Sequence, residues 1–275
     1  MAVQALTLEG LTSAEFQKAE GFFRGAARTQ LALLLVAAVS IFVTAETPTL
    51  LLGISTALLF ALWAWLDWNY RACRGQAERG RRMLLIVEGL GNNVSLEEQR
   101  DVEEGFSITA TEGQAAQNPN FFASNRAPGN ERLVELIEES AFYSCRLYRF
   151  SAGYSWRRLS LFSVICLALL LSSITFASSS DLANGARLFC VIAVFLISQE
   201  ILGNGRDYNE AYKALSAMQG RIRALKRGGY PEADLLVLMA DYNSSVEGAP
   251  MMAPGIYKRN AANLDDLWRR HQQTN

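Results

Sequence analysis

Four side chains near the middle of the chain have the chemistry to hold a phosphate-bearing ligand. Arg126, Arg132 and Arg146 offer guanidinium forks, and Tyr143 or Tyr148 can stack on a base. Arg149 extends the basic stretch. A plainer reading stands beside this one. Arginines near an apolar run follow the positive-inside rule, and Glu135 can pair with Arg132 within one helix.

A second set of polar residues lies inside the apolar runs. Ser40 and Thr44 are one turn apart, Ser172 and Thr175 share a later run, and Glu200 stands near the end of the last. Such groups can line a pore or gate once several copies assemble. Hydroxyls in spans also bond back to their own helix carbonyls or pack between helices. Glu200 is more telling, because an ionisable group in a span faces protein or water. Close to a helix end it is equally an interfacial carboxylate.

Catalytic patterns are missing from the sequence. There is no phosphate-binding glycine loop, no Gly-x-Ser-x-Gly and no nucleophile with a histidine partner, since His271 is the one histidine. Cys73, Cys145, Cys166 and Cys190 make no Cys-x-x-Cys pair, so neither a zinc site nor a disulfide framework is expected. Glu97, Glu98, Asp101, Glu103 and Glu104 read as a solvated helix face. The expectation is no enzyme, no cofactor and no metal. A net charge of −1 gives no field for direct nucleic-acid binding.

Four apolar runs position these residues: 31–45, 50–68, 159–177 and 186–202. Each is near the roughly 17–25 residues a helix needs to cross hydrocarbon. Half of the 275 residues are hydrophobic, yet mean hydropathy is only +0.08. The average therefore hides two populations, apolar spans and charged helices. The expected fold is all-α and integral to a membrane. Two transmembrane hairpins, four spans in all, extend into a cytosolic helical bundle. The expected segments are an N-terminal cytosolic helix (1–30), hairpin one (31–68), a cytosolic segment (69–158), hairpin two (159–202) and C-terminal cytosolic helices (203–275). Arg24 and Arg28 precede the first run at too great a depth for a usual leader, so that run reads as a retained helix.

The helices outside the runs have local signals. Thr12-Ser13-Ala14-Glu15 and Ser95-Leu96-Glu97-Glu98 are capping-box patterns. Tyr70, Cys73, Ala77, Gly80, Leu84 and Val87 keep helical spacing until Gly89 and Gly91. The Thr- and Ile-containing stretch 106–111 reads as extended. Asn130 should cap a helix that runs unbroken through 177, on the order of 70 Å at 1.5 Å per residue. Its inner face would carry Leu133, Leu136, Ile137, Ser140, Ser144, Leu147, Ser151 and Tyr154. Gly203-Asn204-Gly205 reads as a hinge. Tyr208, Ala211, Leu215, Met218, Ile222 and Leu225 mark the next amphipathic helix, and Ile256, Leu264, Leu267 and Trp268 the last.

Three stretches together resemble one family. They are Phe121-Phe122-Ala123-Ser124 with Arg126-Ala127-Pro128-Gly129, then Glu131-Arg132-Leu133 through Glu139-Ser140-Ala141-Phe142-Tyr143. The third is Ala249-Pro250 with Pro254-Gly255-Ile256-Tyr257 and Asn263-Leu264-Asp265-Asp266-Leu267-Trp268. With the two-hairpin layout, the chain resembles the S-4TM family of pore-forming effectors. That resemblance implies a homo-oligomeric effector of bacterial anti-phage defence. It would permeabilise the inner membrane on an infection signal, a cyclic nucleotide or other product of a partner nucleotidyltransferase. Two other readings stay open: a non-conducting anchor that recruits a cytosolic partner, and a constitutive ion or small-solute channel.

The turn at Glu46-Thr47-Pro48-Thr49 has no Lys or Arg, and the Ser178-to-Ala186 turn borders only Arg187, which places both termini and the middle segment in the cytosol. Reporter fusions at Pro48 and Asp181 should then report the periplasm, and fusions at Glu103 and Asn275 the cytosol. A periplasmic signal at Glu103 would reverse this layout.

Overall fold

The computed structural model describes residues 5–43, 45–91, 94–176 and 201–274. Among the described residues the chain is all-helical and has no strand. The helices are α1 (Ala5–Ser40), α2 (Glu46–Leu90), α3 (Leu96–Glu104), α4 (Ala110–Ala116), α5 (Asn130–Phe176), α6 (Ile201–Gly228), α7 (Glu232–Glu247) and α8 (Ile256–Thr274). Two of them are long and apolar enough to cross a membrane: Thr7–Ser40 within α1, and α2. The third apolar run lies in α5 as far as Phe176. The fourth, apart from Ile201 and Leu202, falls outside the described residues, as do Thr44 and Glu200.

The chain forms two compact units. One draws on Gly21–Tyr70 and Ala152–Arg206. Within it α1 and α2 pair through aromatic contacts. Phe22 meets Trp65 edge-on with centroids 5.8 Å apart, and Phe23 lies 5.1 Å from Tyr70. The lack of a side chain on Gly25 admits Leu66, whose methyl would lie 3.2 Å from an added Cβ. The other faces of both helices stay open. Leu35, Leu50, Leu51, Leu58 and Phe60 are all more than half exposed. Contiguous apolar surface of this kind marks a membrane or protein contact.

The second unit draws on Met1–Glu20, Arg71–Ser151 and Asp207–Asn275. Its core follows helical periodicity. Cys73, Ala77, Leu84 and Val87 of α2 are buried, as are Leu133, Leu136 and Ile137 of α5. The six residues of α6 from Tyr208 to Leu225 that share one face are all buried too. Leu8, Met83, Leu84, Val87 and Val102 form one cluster, and Leu147, Ala253, Ile256 and Leu264 another. Gly91 ends α2 with φ of 80°, a left-handed conformation that suits glycine. Ser95 caps α3 by accepting from the Glu98 N–H at 3.2 Å.

Several local expectations are overturned by tertiary partners. The helix α1 starts at Ala5, upstream of the Thr12 capping box. Glu15 is fully buried and accepts from the Ser107 amide at 3.0 Å and its hydroxyl at 2.7 Å. The stretch 106–111 forms no strand: Thr109 keeps an extended backbone, but its last two residues lie in α4, which Thr109 and Glu112 open with a reciprocal capping box. Glu46 to Thr49 form the first turn of α2 rather than a loop, with Pro48 where its missing N–H costs nothing. The Gly203-Asn204-Gly205 hinge is continuous helix inside α6. Gly205 is buried there, where an added Cβ would touch the Trp156 ring at 3.5 Å. Tyr154 is exposed, because Ala152 and Ser155 take the buried positions on that turn.

Two helices approach closely at Gly10 of α1. A Cβ there would lie 2.3 Å from the Gly113 carbonyl oxygen of α4, a backbone atom with no rotamer to yield. Gly10→Ala is expected to destabilise this unit by about 1–3 kcal/mol, the cost of overpacking a fitted contact. Thermal unfolding in detergent should show a lowered Tm, and an unchanged Tm would mean the two helices can part freely.

Candidate functional site

Three glutamates on α5 face one polar cavity of about 260 Å³. Spacing of three and four residues puts Glu135, Glu138 and Glu139 on adjoining turns of the helix surface. Helix α6 adds Lys226, α8 adds Trp268, His271 and Gln272, and the loop before α5 adds Ser124 and Arg126.

Each carboxylate has a different set of partners. Glu135 accepts from Ser124 Oγ and pairs with Arg126 Nε, both at 2.6 Å. Glu138, 7% exposed, holds Lys226 Nζ on one oxygen and His271 Nε2 at 3.3 Å on the other. Among the described residues Glu139, 8% exposed, accepts the Ala123 amide alone, at 3.0 and 3.2 Å. Burial pushes its carboxyl up to about 7; the Ala123 N–H opposes the rise and the Glu135 charge adds to it. Glu139 thus sits in a cavity beside two further carboxylates with its own proton held more tightly than usual, as perturbed groups in functional clefts often are.

The aromatic wall is continuous. The His271 imidazole stacks on Trp268 at 5.4 Å and lies 5.1 Å from Phe142. The Arg146 guanidinium sits 3.3 Å from the Phe142 centroid. Burial pulls its pKa down.

The residues expected to hold an anionic signal do not share the cavity. Arg126 alone of the four lines the cavity, and it pairs with Glu131 as well as Glu135. Arg132 reaches Glu88 of α2 at 2.6 Å and donates to the Arg126 carbonyl, so its partner is across the unit rather than Glu135. Tyr143 donates to Asp265 of α8 at 2.8 Å. Its pKa is raised, chiefly by burial. Of the expected pore residues, Ser40 bonds back to the Ala37 carbonyl at 2.7 Å. Ser172 and Thr175 lie in α5 with side chains outside those described. Among the described residues no group of three or more His, Cys, Asp or Glu could hold a metal ion.

Sequence reading passed over Glu135, Glu138, Glu139, Lys226 and Trp268 as a set. A signal was present. Carboxylates at 138 and 139 interrupt the apolar face between Ile137 and Phe142, where a solvated face would not be. No family model, curated protein or solved structure matches the chain.

The glutamate's raised pKa sets a pH dependence with a definite sign. The folded state favours the protonated form of Glu139. Its contribution is therefore greatest below about pH 4.5, falls between there and about pH 7, and stays at its minimum above. Glu139→Gln keeps an acceptor for Ala123 and removes the charge. It should stabilise the protein at pH 8 by on the order of 2 kcal/mol and change little at pH 4. Unfolding curves at the two pH values test this; equal shifts at both would mean Glu139 titrates normally.

Proposed function

We propose that this chain is a four-span membrane effector of the kind the S-4TM resemblance implies. Two hairpins would sit in the bacterial inner membrane, with both termini and the helical unit in the cytosol. Copies would assemble and permeabilise the membrane when an infection signal reaches the cytosolic unit. Four packed helices fill their own centre, so conduction requires assembly.

The observation that carries this reading is the convergence of the three resembling stretches on one place. Ala123 and Ser124 of the first bind Glu139 and Glu135 of the second. Phe142 and Tyr143 of the second meet Trp268 and Asp265 of the third. Two adjoining stretches and a third far downstream thus build one polar cavity, as a sensing site would require. The exposed apolar faces of α1 and α2 support the membrane part of the reading.

The cavity's charge constrains the signal. Arg126 is already neutralised by Glu131 and Glu135, so an anionic messenger must take it from them. Purified protein in dye-loaded liposomes should leak only when a candidate cyclic nucleotide is added. Arg126→Ala should abolish that response while leaving insertion intact, and Glu135→Gln should lower the messenger concentration needed. Absence of leakage or current under every condition would leave the anchor reading in its place.

A further inference from the structure

A surface of the membrane-type unit has arginines of another kind from those around the cavity. Arg126 and Arg132 are held by carboxylates of the same chain. Arg157 and Arg206 are exposed, and among the described residues neither meets a carboxylate. Each adjoins the same helix contact. Gly205 of α6 lies against Trp156 of α5, with an added Cβ 3.5 Å from the ring, and the two arginines are the next residue on each helix.

Aromatic groups frame the pair. Trp156 is 43% and Tyr154 38% exposed, and the Arg158 guanidinium stacks over the Tyr154 ring at 5.7 Å. The apolar run 159–177 begins one residue beyond Arg158, and the run 186–202 ends four residues before Arg206. Along the chain the order is therefore an apolar run, then amphipathic rings, then guanidinium groups that meet no carboxylate among the described residues. Amphipathic rings favour the depth of lipid headgroups, and a guanidinium matches a phosphate with two parallel hydrogen bonds.

We propose that Trp156, Arg157 and Arg206 form a binding surface for the headgroup of an anionic phospholipid. The proposal rests on the membrane reading above, and adds a lipid of stated charge to it. The absence of acidic partners among the described residues distinguishes the surface from an ordinary ion-paired rim. A zwitterionic headgroup brings a cation that these arginines repel, whereas a phosphatidylglycerol headgroup brings net negative charge alone. Juxtamembrane arginines of this kind favour an anionic surface by about fivefold each.

The test uses the full-length protein in vesicles of phosphatidylcholine with and without phosphatidylglycerol. Insertion is measured first by flotation, then the lipids retained on mild detergent extraction are weighed by native mass spectrometry. Wild type should insert into both vesicles and retain phosphatidylglycerol over phosphatidylcholine several-fold. R157Q/R206Q should insert equally well, keep its helical circular dichroism and lose the preference. R269Q, which removes an exposed arginine of α8, should keep it. Equal retention of both lipids by wild type, or an undiminished preference in R157Q/R206Q, overturns the lipid surface and leaves the membrane reading intact. Failure to insert into either vesicle overturns the membrane reading and the proposal together.

Discussion

The structure depends on how an irregular segment satisfies its backbone. Between α2 and α5 lie almost forty residues with only two short helices and no strand to pair with. Backbone amides in such a segment have no helical or strand partner and take acceptors from outside it. Glutamates from the long helices supply them. Glu9 accepts from the Asn118 amide at 2.8 Å, Glu15 from Ser107 at 3.0 Å, and Glu139 from Ala123 at 3.0 Å. The irregular segment is thereby fixed to α1 on one side and to α5 on the other.

Helix-borne carboxylates are a demanding way to do this. A buried carboxylate loses its hydration and must be hydrogen-bonded or paired. Glu15 meets the demand with two donors from Ser107, and Lys18 donates to the same residue's carbonyl at 2.8 Å. Glu139 meets it with one amide only, and the shortfall appears as a carboxyl that holds its proton to about pH 7. The cavity's chemistry is thus a by-product of how the preceding loop is held.

The guanidinium groups answer the same charge problem elsewhere in this unit. Glu78, 7% exposed on α2, has Arg81 at 2.9 Å and Arg74 at 3.8 Å. Arg74 also donates to the carbonyls of Val246, Glu247 and Ala249, which closes the C-terminal end of α7. Burial raises the pKa of Glu78, and the neighbouring arginines oppose the rise. Removing one member of such a group costs more than the pair contributes, because it leaves a buried charge alone. Arginines that read in sequence as a juxtamembrane positive rim are therefore, in this unit, largely structural.

The sequence by itself determined what depends on near neighbours. The first two apolar runs, the helical spacing from Tyr208 to Leu225, the Ser95 cap and the Gly91 stop are all set by residues within a few positions, and the structure has them. Tertiary structure alone decided which polar groups meet. Glu15 and Ser107 are 92 residues apart, and Lys226 and Glu138 are 88 apart. Local rules assigned Glu15 to a cap and left 106–111 extended, because nothing nearby in the chain reveals a distant donor. The Gly203-Asn204-Gly205 stretch stayed helical for the same reason: glycine permits a hinge, but the close fit of Gly205 against Trp156 makes use of the missing side chain instead. Periodicity records which face is buried; only the packed helices fix which charges share that burial, and their mutual distance sets the chemistry.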